Sequence, residues 1–183
     1  MRIIAGAWRG RALRAPAGAA TRPTAGRVRQ ALFDMLLHAP WGGRERLAGA
    51  LVLDAFAGTG ALGLEALSRG AGRAVFLEQD RAALAALRAN IAALGAGERA
   101  RVVAADGFAP PTGEPCALVF LDPPYAEGAV ARAAAALADA GWIAPGALIL
   151  AETARGEPPP AGLLAERAHG AARLVVWEGG RTG

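Results

Sequence analysis

Four bulky apolar residues in a row, Leu118-Val119-Phe120-Leu121, constrain the fold of this chain more than any other feature. A strand with one wet face alternates apolar and polar residues, whereas a strand that is buried on both faces is apolar throughout. The run therefore predicts a strand of a parallel sheet that is covered by helices on both sides.

The segments on either side of this run repeat the order strand, loop, helix. Apolar runs predict further strands at 51–53, 74–77, 101–104 and 147–151, with helices at about 61–69, 81–94 and 128–140. Two last strands, near 164–168 and 173–178, are predicted to pair as a hairpin around Gly170. This order indicates an α/β fold with a doubly wound, mostly parallel, seven-stranded Rossmann-like sheet and an antiparallel C-terminal hairpin.

The N-terminal part of the chain carries the excess positive charge. Residues 1–50 hold nine arginines against two acids, while the other 133 residues hold eleven arginines against fourteen acids. Two short strands, 2–5 and 11–14, are predicted there, followed by a helix that Thr24 caps and whose polar face is basic. We expect residues 1–46 to form a basic extension of a core over 47–183, all within one compact domain.

Composition excludes several classes of protein. A chain of 183 residues with 54% hydrophobic and 20% charged residues suits one globular domain. Residues 1–6 lead straight into arginines, and no window of about 20 apolar residues is free of charge, so we expect a soluble cytoplasmic protein. Cys116 is the single cysteine, and with only His38 and His169 beside it a metal site is not expected.

The loop that ends the apolar run combines an acid, two prolines and an aromatic ring. Pro123 and Pro124 lack an N–H and fix φ, so the neighbouring carbonyls have no local donor, and Asp122 adds a carboxylate. These acceptors and the Tyr125 ring suit an exocyclic amine of a nucleobase, which needs acceptors for its two hydrogens and a surface to stack on. An ordinary Asp-Pro turn after a buried strand is the alternative, and these four residues alone do not exclude it.

A glycine-rich segment follows the first predicted strand of the sheet. Gly58-Thr59-Gly60-Ala61-Leu62-Gly63 fits the G-x-G-x-x-G pattern of dinucleotide-binding proteins, and Glu78 stands where such proteins have their ribose-binding acid. The glycines at 58 and 60 allow a ligand to approach the backbone without a Cβ in the way. Alone, this pattern does not exclude a nicotinamide or flavin dinucleotide.

Three features favour S-adenosylmethionine instead. Asp54 begins an Asp-x-Phe-x-Gly-x-Gly segment that resembles the first motif of S-adenosylmethionine-dependent methyltransferases, and Asp106 ends the third strand, where those enzymes hold the adenine amine. The Asp-Pro-Pro-Tyr loop resembles the catalytic loop of the amino-methyltransferases. The cofactor-binding residues that this resemblance implies are Asp54, Phe56, Gly58, Gly60, Glu78, Asp106, Gly107 and Phe108. The catalytic residues that it implies are Asp122, Pro123, Pro124 and Tyr125.

Motifs spread along the whole chain resemble one family in particular. They are Arg2-Ile3-Ile4-Ala5-Gly6, Arg9-Gly10-Arg11, Thr21-Arg22-Pro23-Thr24, Arg27-Val28-Arg29, Leu32-Phe33, the Asp54 to Gly60 segment and Asp122-Pro123-Pro124-Tyr125. In this order they resemble the bacterial small-subunit ribosomal RNA guanine-N2 methyltransferases. The resemblance implies transfer to the 2-amino group of one guanine in 16S rRNA, with the rRNA or the assembling small subunit as partner. We also expect a monomeric protein without a metal.

The arginines of the N-terminal extension are then expected to contact RNA phosphates. These are Arg2, Arg9, Arg11, Arg22, Arg27 and Arg29. A solvated basic face with no partner is the alternative.

Two other functions stay open at this point. A DNA adenine-N6 methyltransferase shares the same loop, although no stretch of this chain is left for a target-recognition domain. A noncatalytic RNA-binding module with a residual nucleotide pocket is the alternative from another class, and the intact set of acids, glycines and loop argues against it.

Overall fold

Seven strands and five α-helices make up the described part of the chain in the computed structural model, which covers residues 1–16, 23–124, 126–158, 160–169 and 172–179. The strands are β1 (Leu51–Asp54), β2 (Arg73–Glu78), β3 (Ala100–Ala104), β4 (Cys116–Leu121), β5 (Ile143–Ala154), β6 (Leu163–His169) and β7 (Ala172–Glu178). The helices are α1 (Pro23–His38), α2 (Arg44–Leu47), α3 (Ala61–Ser68), α4 (Arg81–Leu94) and α5 (Ala129–Asp139), with a 3₁₀ turn at Gly97–Arg99.

All seven strands belong to one sheet with the order β3-β2-β1-β4-β5-β7-β6. The strands from β3 to β5 pair in parallel, and β7 runs antiparallel to both β5 and β6. The predicted doubly wound sheet with an antiparallel C-terminal hairpin is therefore confirmed. The antiparallel strand β7 lies one position in from the edge, because the hairpin folds back to place β7 against β5.

The apolar run of β4 is buried on both faces, as its pattern predicted. Leu118 and Phe120 pack in one core cluster, where the Phe120 ring lies 5.4 Å from the Phe33 ring of α1. Val119 and Leu121 pack in a second cluster on the other face. A central strand that contacts two helical layers needs apolar side chains at every position.

The direction in which the chain winds reverses between β1 and β4, which are neighbours in the sheet. Asp54 at the end of β1 lies opposite Phe120, and the Ala55 N–H donates to the Phe120 carbonyl at 3.1 Å. The loops that follow β1 and β4 therefore leave the sheet side by side. This is the position at which open α/β sheets bind their ligands.

The residues predicted to cap α4 do so, whereas the residue predicted to cap α1 does not. Asp80 caps α4 by accepting from the Ala83 N–H at 2.8 Å, and Gly95 ends that helix in the left-handed conformation. The prediction that Thr24 caps α1 is wrong, since α1 begins one residue earlier at Pro23. Proline is favoured in the first helical turn because its missing N–H has no partner there in any case.

The N-terminal segment forms a short hairpin that packs on the main core. Arg2 and Ala12 make a single antiparallel bridge, so this hairpin lacks the two full strands that were predicted. Ile3 and Leu13 are buried in the same cluster as Phe33. The basic extension is therefore anchored through its apolar residues.

The prediction that Arg29 contacts RNA is wrong, because its side chain is buried and is not part of a solvated basic face. It is 4% exposed, its Nη2 donates to the Arg2 carbonyl at 2.6 Å, and its Nε lies 3.5 Å from the carboxylate of the fully buried Glu65. Glu65 also accepts from the Ile4 and Ala5 N–H groups and from Arg69 Nε. Arg29 thus fixes the N-terminal segment to α3 and has no access to RNA phosphates.

Candidate active site

Acidic side chains follow three neighbouring strands at the same edge of the sheet. Asp54 ends β1, Glu78 ends β2 and Asp122 follows β4. Because these strands are parallel and adjacent, their carboxyl ends lie side by side. Glu78 and Asp122 face a common space, and Asp54 lies below it.

A cavity of about 320 Å³ opens at this edge and brings together residues from four loops. Its walls are formed by Ala55, Phe56, Leu77, Glu78, Gln79, Ala105, Gly107, Asp122, Pro123 and Pro124. We call this space the cofactor cavity, after the ligand that the sequence motifs predict for it. Six of the residues singled out in the sequence line it, so the segment after β1 and the Asp-Pro-Pro segment bound one space.

Glu78 is held in a fixed orientation by backbone donors. One carboxylate oxygen accepts from the Gly58 N–H at 2.7 Å, and the other accepts from the Gln79 and Asp80 N–H groups at 2.8 and 2.7 Å. These bonds tie the glycine-rich loop to the end of β2. The carboxylate is thereby fixed in the wall of the cofactor cavity.

Asp54 lies beneath the glycine-rich loop and does not line the cofactor cavity. It is 2% exposed, and its Oδ2 accepts from the Gly63 N–H in the first turn of α3 at 2.9 Å. Burial raises the pKa of Asp54 to about 7, and the charges of Asp122 and Glu78 add to the shift, while the Gly63 hydrogen bond opposes it. Its position supports the shape of the loop and not a direct contact with a ligand in the cavity.

The two glycines of the predicted cofactor motif differ in their surroundings. Gly58 has φ +53° with open space around the position of a Cβ, whereas Gly60 has φ +81° and a Cβ there would lie 2.4 Å from Leu87 Cδ1. Gly60 is therefore required by packing and backbone conformation. Gly58 is the glycine beside which a ligand can approach the backbone.

Of the three residues after β3 that were predicted to bind the cofactor, only one lines the cofactor cavity. Asp106 forms an Asx turn, its Oδ1 accepting from the Phe108 N–H at 2.9 Å. Gly107 lines the cofactor cavity, while Asp106 and Phe108 are not among its wall residues. The Phe108 ring packs against Phe56 at 5.0 Å and under the Arg132 guanidinium at 4.1 Å, so it supports the wall from behind.

The Asp-Pro-Pro segment combines one buried and one exposed proline. Pro123 is buried, whereas Asp122 and Pro124 are exposed at the mouth of the cavity. Partial desolvation of the carboxylate raises the pKa of Asp122 to about 6, and the negative charge of Glu152 adds to the shift. Tyr125 lies outside the described residues.

A second cavity of about 460 Å³ lies on the other side of the two prolines. Its walls are formed by Pro123, Pro124, Ala126, Glu127, Ala129, Val130, Glu152, Thr153, Ala154, Gly156 and Glu157. We call this space the base cavity, after the ligand that we propose for it. Glu152 was not singled out in the sequence, although it follows the apolar run of β5 as Asp122 follows that of β4.

Four of the six arginines that were predicted to bind RNA are exposed, namely Arg2, Arg9, Arg11 and Arg27. Arg22 lies outside the described residues, and Arg29 is buried, as described above. Arg2 donates to the Gly10 carbonyl at 2.9 Å, so part of its guanidinium is held by the hairpin that carries it.

Within the described ranges, no three His, Cys, Asp or Glu side chains come close enough together to hold a metal ion, and no helix is long and apolar enough to cross a membrane. Cys116 begins β4, where burial raises the pKa of its thiol to about 12. A thiol in this state is a poor nucleophile.

Solved structures share this architecture. The Escherichia coli protein yhhF superimposes with a TM-score of 0.82, is 42% identical, and is matched over 97% of both chains. An RNA methyltransferase from Salinibacter ruber, solved in complex with S-adenosyl-L-homocysteine, superimposes with a TM-score of 0.62 at 14% identity over 83% of this chain and 90% of that one. The sheet order and the match to the Escherichia coli structure, which is described as a putative methyltransferase, define the fold as that of the Rossmann-like methyltransferases.

Sequence comparison identifies the family. The family model described as conserved hypothetical protein 95 matches residues 1–177. The ribosomal RNA small subunit methyltransferase D of Escherichia coli is 46% identical over 155 residues, which cover 84% of this chain and 74% of the relative. The chain belongs to the ribosomal RNA small subunit methyltransferase D family.

Proposed function

We propose that this chain transfers a methyl group from S-adenosylmethionine to the exocyclic N2 amine of one guanine in 16S rRNA. The substrate is the rRNA or the assembling small subunit in the cytoplasm, and the protein acts as a monomer without a metal. The observation that carries this proposal is the single cavity in which Glu78 and the Asp122-Pro123-Pro124 segment meet. The name of the Escherichia coli relative supports rRNA as the substrate.

The residues around the cofactor cavity fit S-adenosylmethionine. A carboxylate has about four acceptor positions, and Glu78 uses three of them for backbone N–H groups, so it retains capacity for a ribose hydroxyl. The open space at Gly58 leaves room for the methionine part beside the backbone. When bound, the cofactor supplies an electrophilic methyl group on a positively charged sulfur.

Asp122 and the carbonyl of Pro123 act on the target amine. The lone pair of the guanine amine is delocalised into the ring, so acceptors that hold its two hydrogens favour the nitrogen geometry needed for attack. The nitrogen–methyl bond forms as the sulfur–methyl bond breaks, and the proton lost from N2 passes to the Asp122 carboxylate. Correct alignment of the two reactants can contribute roughly 7–11 kcal/mol.

The RNA must present the target base out of its stack. Unstacking a base costs a few kcal/mol, and this cost is smallest when the base lies in an RNA loop. The Tyr125 ring offsets about 1–3 kcal/mol of this cost by stacking on the base. Arg9 and Arg27, both exposed, contact phosphates of the bound RNA.

The test is transfer of a labelled methyl group from S-adenosylmethionine into candidate substrates. Small subunits and naked 16S rRNA from a strain that lacks this gene are compared with naked DNA, and the modified rRNA position is then mapped against the parent strain. We expect label in one or both rRNA samples and none in DNA. Label in DNA alone would favour an adenine-N6 enzyme, and no label in any substrate would favour a noncatalytic RNA-binding module.

A further inference from the structure

The base cavity shares its prolines with the cofactor cavity, so the Asp-Pro-Pro segment forms a partition between the two spaces. Pro123 and Pro124 line both. Asp122 lines the cofactor cavity, and Glu152 lines the base cavity. A base whose amine reaches across this partition has its ring in the base cavity and its amine beside Asp122.

Glu152 occupies a defined position relative to Asp122. Leu121, the last residue of β4, pairs with Ala151 of β5 in the parallel register, so Asp122 and Glu152 are the next residues along the two neighbouring segments. Their proximity is also reflected in the contribution of the Glu152 charge to the raised pKa of Asp122. Two carboxylates therefore lie next to each other at the partition, one for each cavity.

Glu127 and Glu157 also line the base cavity, but they lie in a different setting. Glu127 precedes α5 in the loop that follows the prolines, and Glu157 lies in the turn after β5. Glu152 belongs to β5 itself, where the ladder to β7 fixes its backbone. Among these three acids, Glu152 is the one that the sheet holds beside Asp122.

Nucleobase amines differ in the atom that flanks them. The N2 amine of guanine lies next to a ring N1–H, which is a donor. The N6 amine of adenine and the N4 amine of cytosine lie next to a ring nitrogen with a lone pair, which is an acceptor. A carboxylate beside the amine site accepts from the guanine N1–H and repels the lone pair of the other two bases.

We propose that Glu152 selects guanine, its carboxylate accepting the N1–H of the target base in the base cavity while Asp122 accepts from the N2 amine. This inference rests on the proposed function and adds a specificity-determining residue to it. A site built around a hydrogen bond rejects an analogue that lacks the bonded group much more strongly than an apolar pocket does, and here the analogue would also present a lone pair to the carboxylate.

The test uses 2-aminopurine, which keeps the 2-amino group of guanine but has a lone pair at N1. The substrate is 16S rRNA that carries guanine or 2-aminopurine at the mapped position, naked or reconstituted with small-subunit proteins. We expect the wild-type protein to prefer guanine in kcat/KM by about 10- to 100-fold, the range of a hydrogen bond to a charged group. Glu152→Gln should bring this ratio close to one, because the glutamine amide can donate to the N1 lone pair.

The matched control is Glu157→Gln, which removes the same charge from the wall of the same cavity. We expect it to leave the guanine preference within about twofold of wild type, since Glu157 lies in the turn after β5 and the sheet does not hold it beside Asp122. Each ratio is measured within one protein preparation, so a smaller folded fraction in a variant cancels. The loss of the guanine O6 in 2-aminopurine cancels as well when variants are compared.

Two results would overturn the assignment of Glu152. One is a wild-type protein that methylates both bases equally, and the other is a Glu152→Gln variant that retains the full preference for guanine. Either result leaves rRNA methylation itself intact. A wild-type protein that methylates no rRNA guanine at all would instead reject the proposed function, so the two failures can be told apart.

Discussion

The carboxylate of Asp122 lies at the mouth of the cofactor cavity, where its surroundings oppose ionisation. Partial desolvation and the charge of Glu152 raise its pKa to about 6. Only the ionised form accepts from both hydrogens of an amine and takes up the displaced proton. The protonation state of this one residue therefore sets the pH range in which the proposed reaction can proceed.

We predict that kcat/KM for rRNA falls as the pH is lowered through about 6, by about tenfold per pH unit below that value. The direction follows because the acidic form of Asp122 is the inactive one and its raised pKa brings the loss into a measurable range. Glu152→Gln should move the midpoint to lower pH, since it removes a like charge. A rate that is flat between pH 5 and pH 7 would show that ionisation of Asp122 is not required.

The sequence predicts the place of a site residue where the neighbouring residues alone define it. Asp122 and Glu78 are acids at the ends of apolar runs, and Glu152 follows the same rule after Ile149-Leu150-Ala151. Which cavity each acid lines depends on the order of the strands, which the sequence pattern does not contain. Arg29 could not be predicted as buried, because its partner Glu65 comes from another helix.

At the scale of elements, the glycine-rich loop between β1 and α3 connects the end of the sheet to the cofactor cavity. Gly60 is held by its left-handed conformation and by the side chain of Leu87, while Gly58 has open space and donates to Glu78. The loop thus has one glycine that serves the fold and one that borders the proposed ligand.

We predict that Gly60→Ala and Gly58→Ala affect different properties. Gly60→Ala should lower the free energy of unfolding by about 2–4 kcal/mol, from left-handed strain together with overpacking against Leu87. Gly58→Ala should cost only about 1–2 kcal/mol but weaken binding of S-adenosylhomocysteine by about tenfold or more. Denaturant unfolding and calorimetric titration measure the two quantities, and the reverse pattern would contradict these roles.

A second element-level feature is the attachment of the N-terminal hairpin to α3 through Glu65. We predict that Arg29→Ala lowers the free energy of unfolding by about 3–5 kcal/mol, because it removes one partner of a buried carboxylate. Arg27→Ala, at an exposed position of the same helix, should change it by less than about 0.5 kcal/mol. Equal effects of the two substitutions would show that the buried pair does not stabilise the hairpin.

Element boundaries were predictable where capping or burial dominates. The strands follow from apolar runs, and α4 follows from Asp80 and Gly95 at its ends. The four-residue helix α2 is too short to show a helical period, so it left no signal. The start of α1 is ambiguous in the sequence, because Thr24, a possible cap residue, directly follows Pro23, which begins the helix.

At the scale of the whole molecule, positive charge is concentrated in residues 1–50, and most of the arginines there that were expected to bind RNA are exposed. An RNA that lies across this surface releases counterions in proportion to the phosphates it contacts, so its affinity depends on salt. The same segment is anchored to the sheet by Ile3 and Leu13, which fixes the basic surface relative to the proposed active site.

We predict that replacing both Arg9 and Arg27 with alanine flattens the dependence of log K on log salt for RNA binding by about 0.7 per lost phosphate contact. The matched control is Arg101→Ala, whose side chain is 55% exposed on β3 and pairs with Glu114. That substitution should leave the slope unchanged. An unchanged slope in the double variant would remove the N-terminal surface from the RNA interface.

The overall topology could be predicted because alternating strands and helices with a final hairpin allow few arrangements. The sequence pattern does not show that the N-terminal segment and the sheet share one core. Ile3 and Phe33 look like apolar residues of any small element, and only packing shows that they join the cluster around Phe120. The base cavity is likewise a product of the assembled fold, since β5 meets the loop after β4 there.

The most direct test of the account is the identity of the methylated nucleoside formed by wild type and by Asp122→Ala in a single turnover on 16S rRNA. We predict that the wild type forms N2-methylguanosine. The variant should react about 10²–10³ times more slowly, as when a hydrogen-bond partner of the transition state is lost. Its affinity for S-adenosylhomocysteine should equal that of the wild type. N6-methyladenosine as the product, or an Asp122→Ala variant that loses cofactor affinity as much as rate, would contradict the proposed meeting of cofactor and amine at this residue.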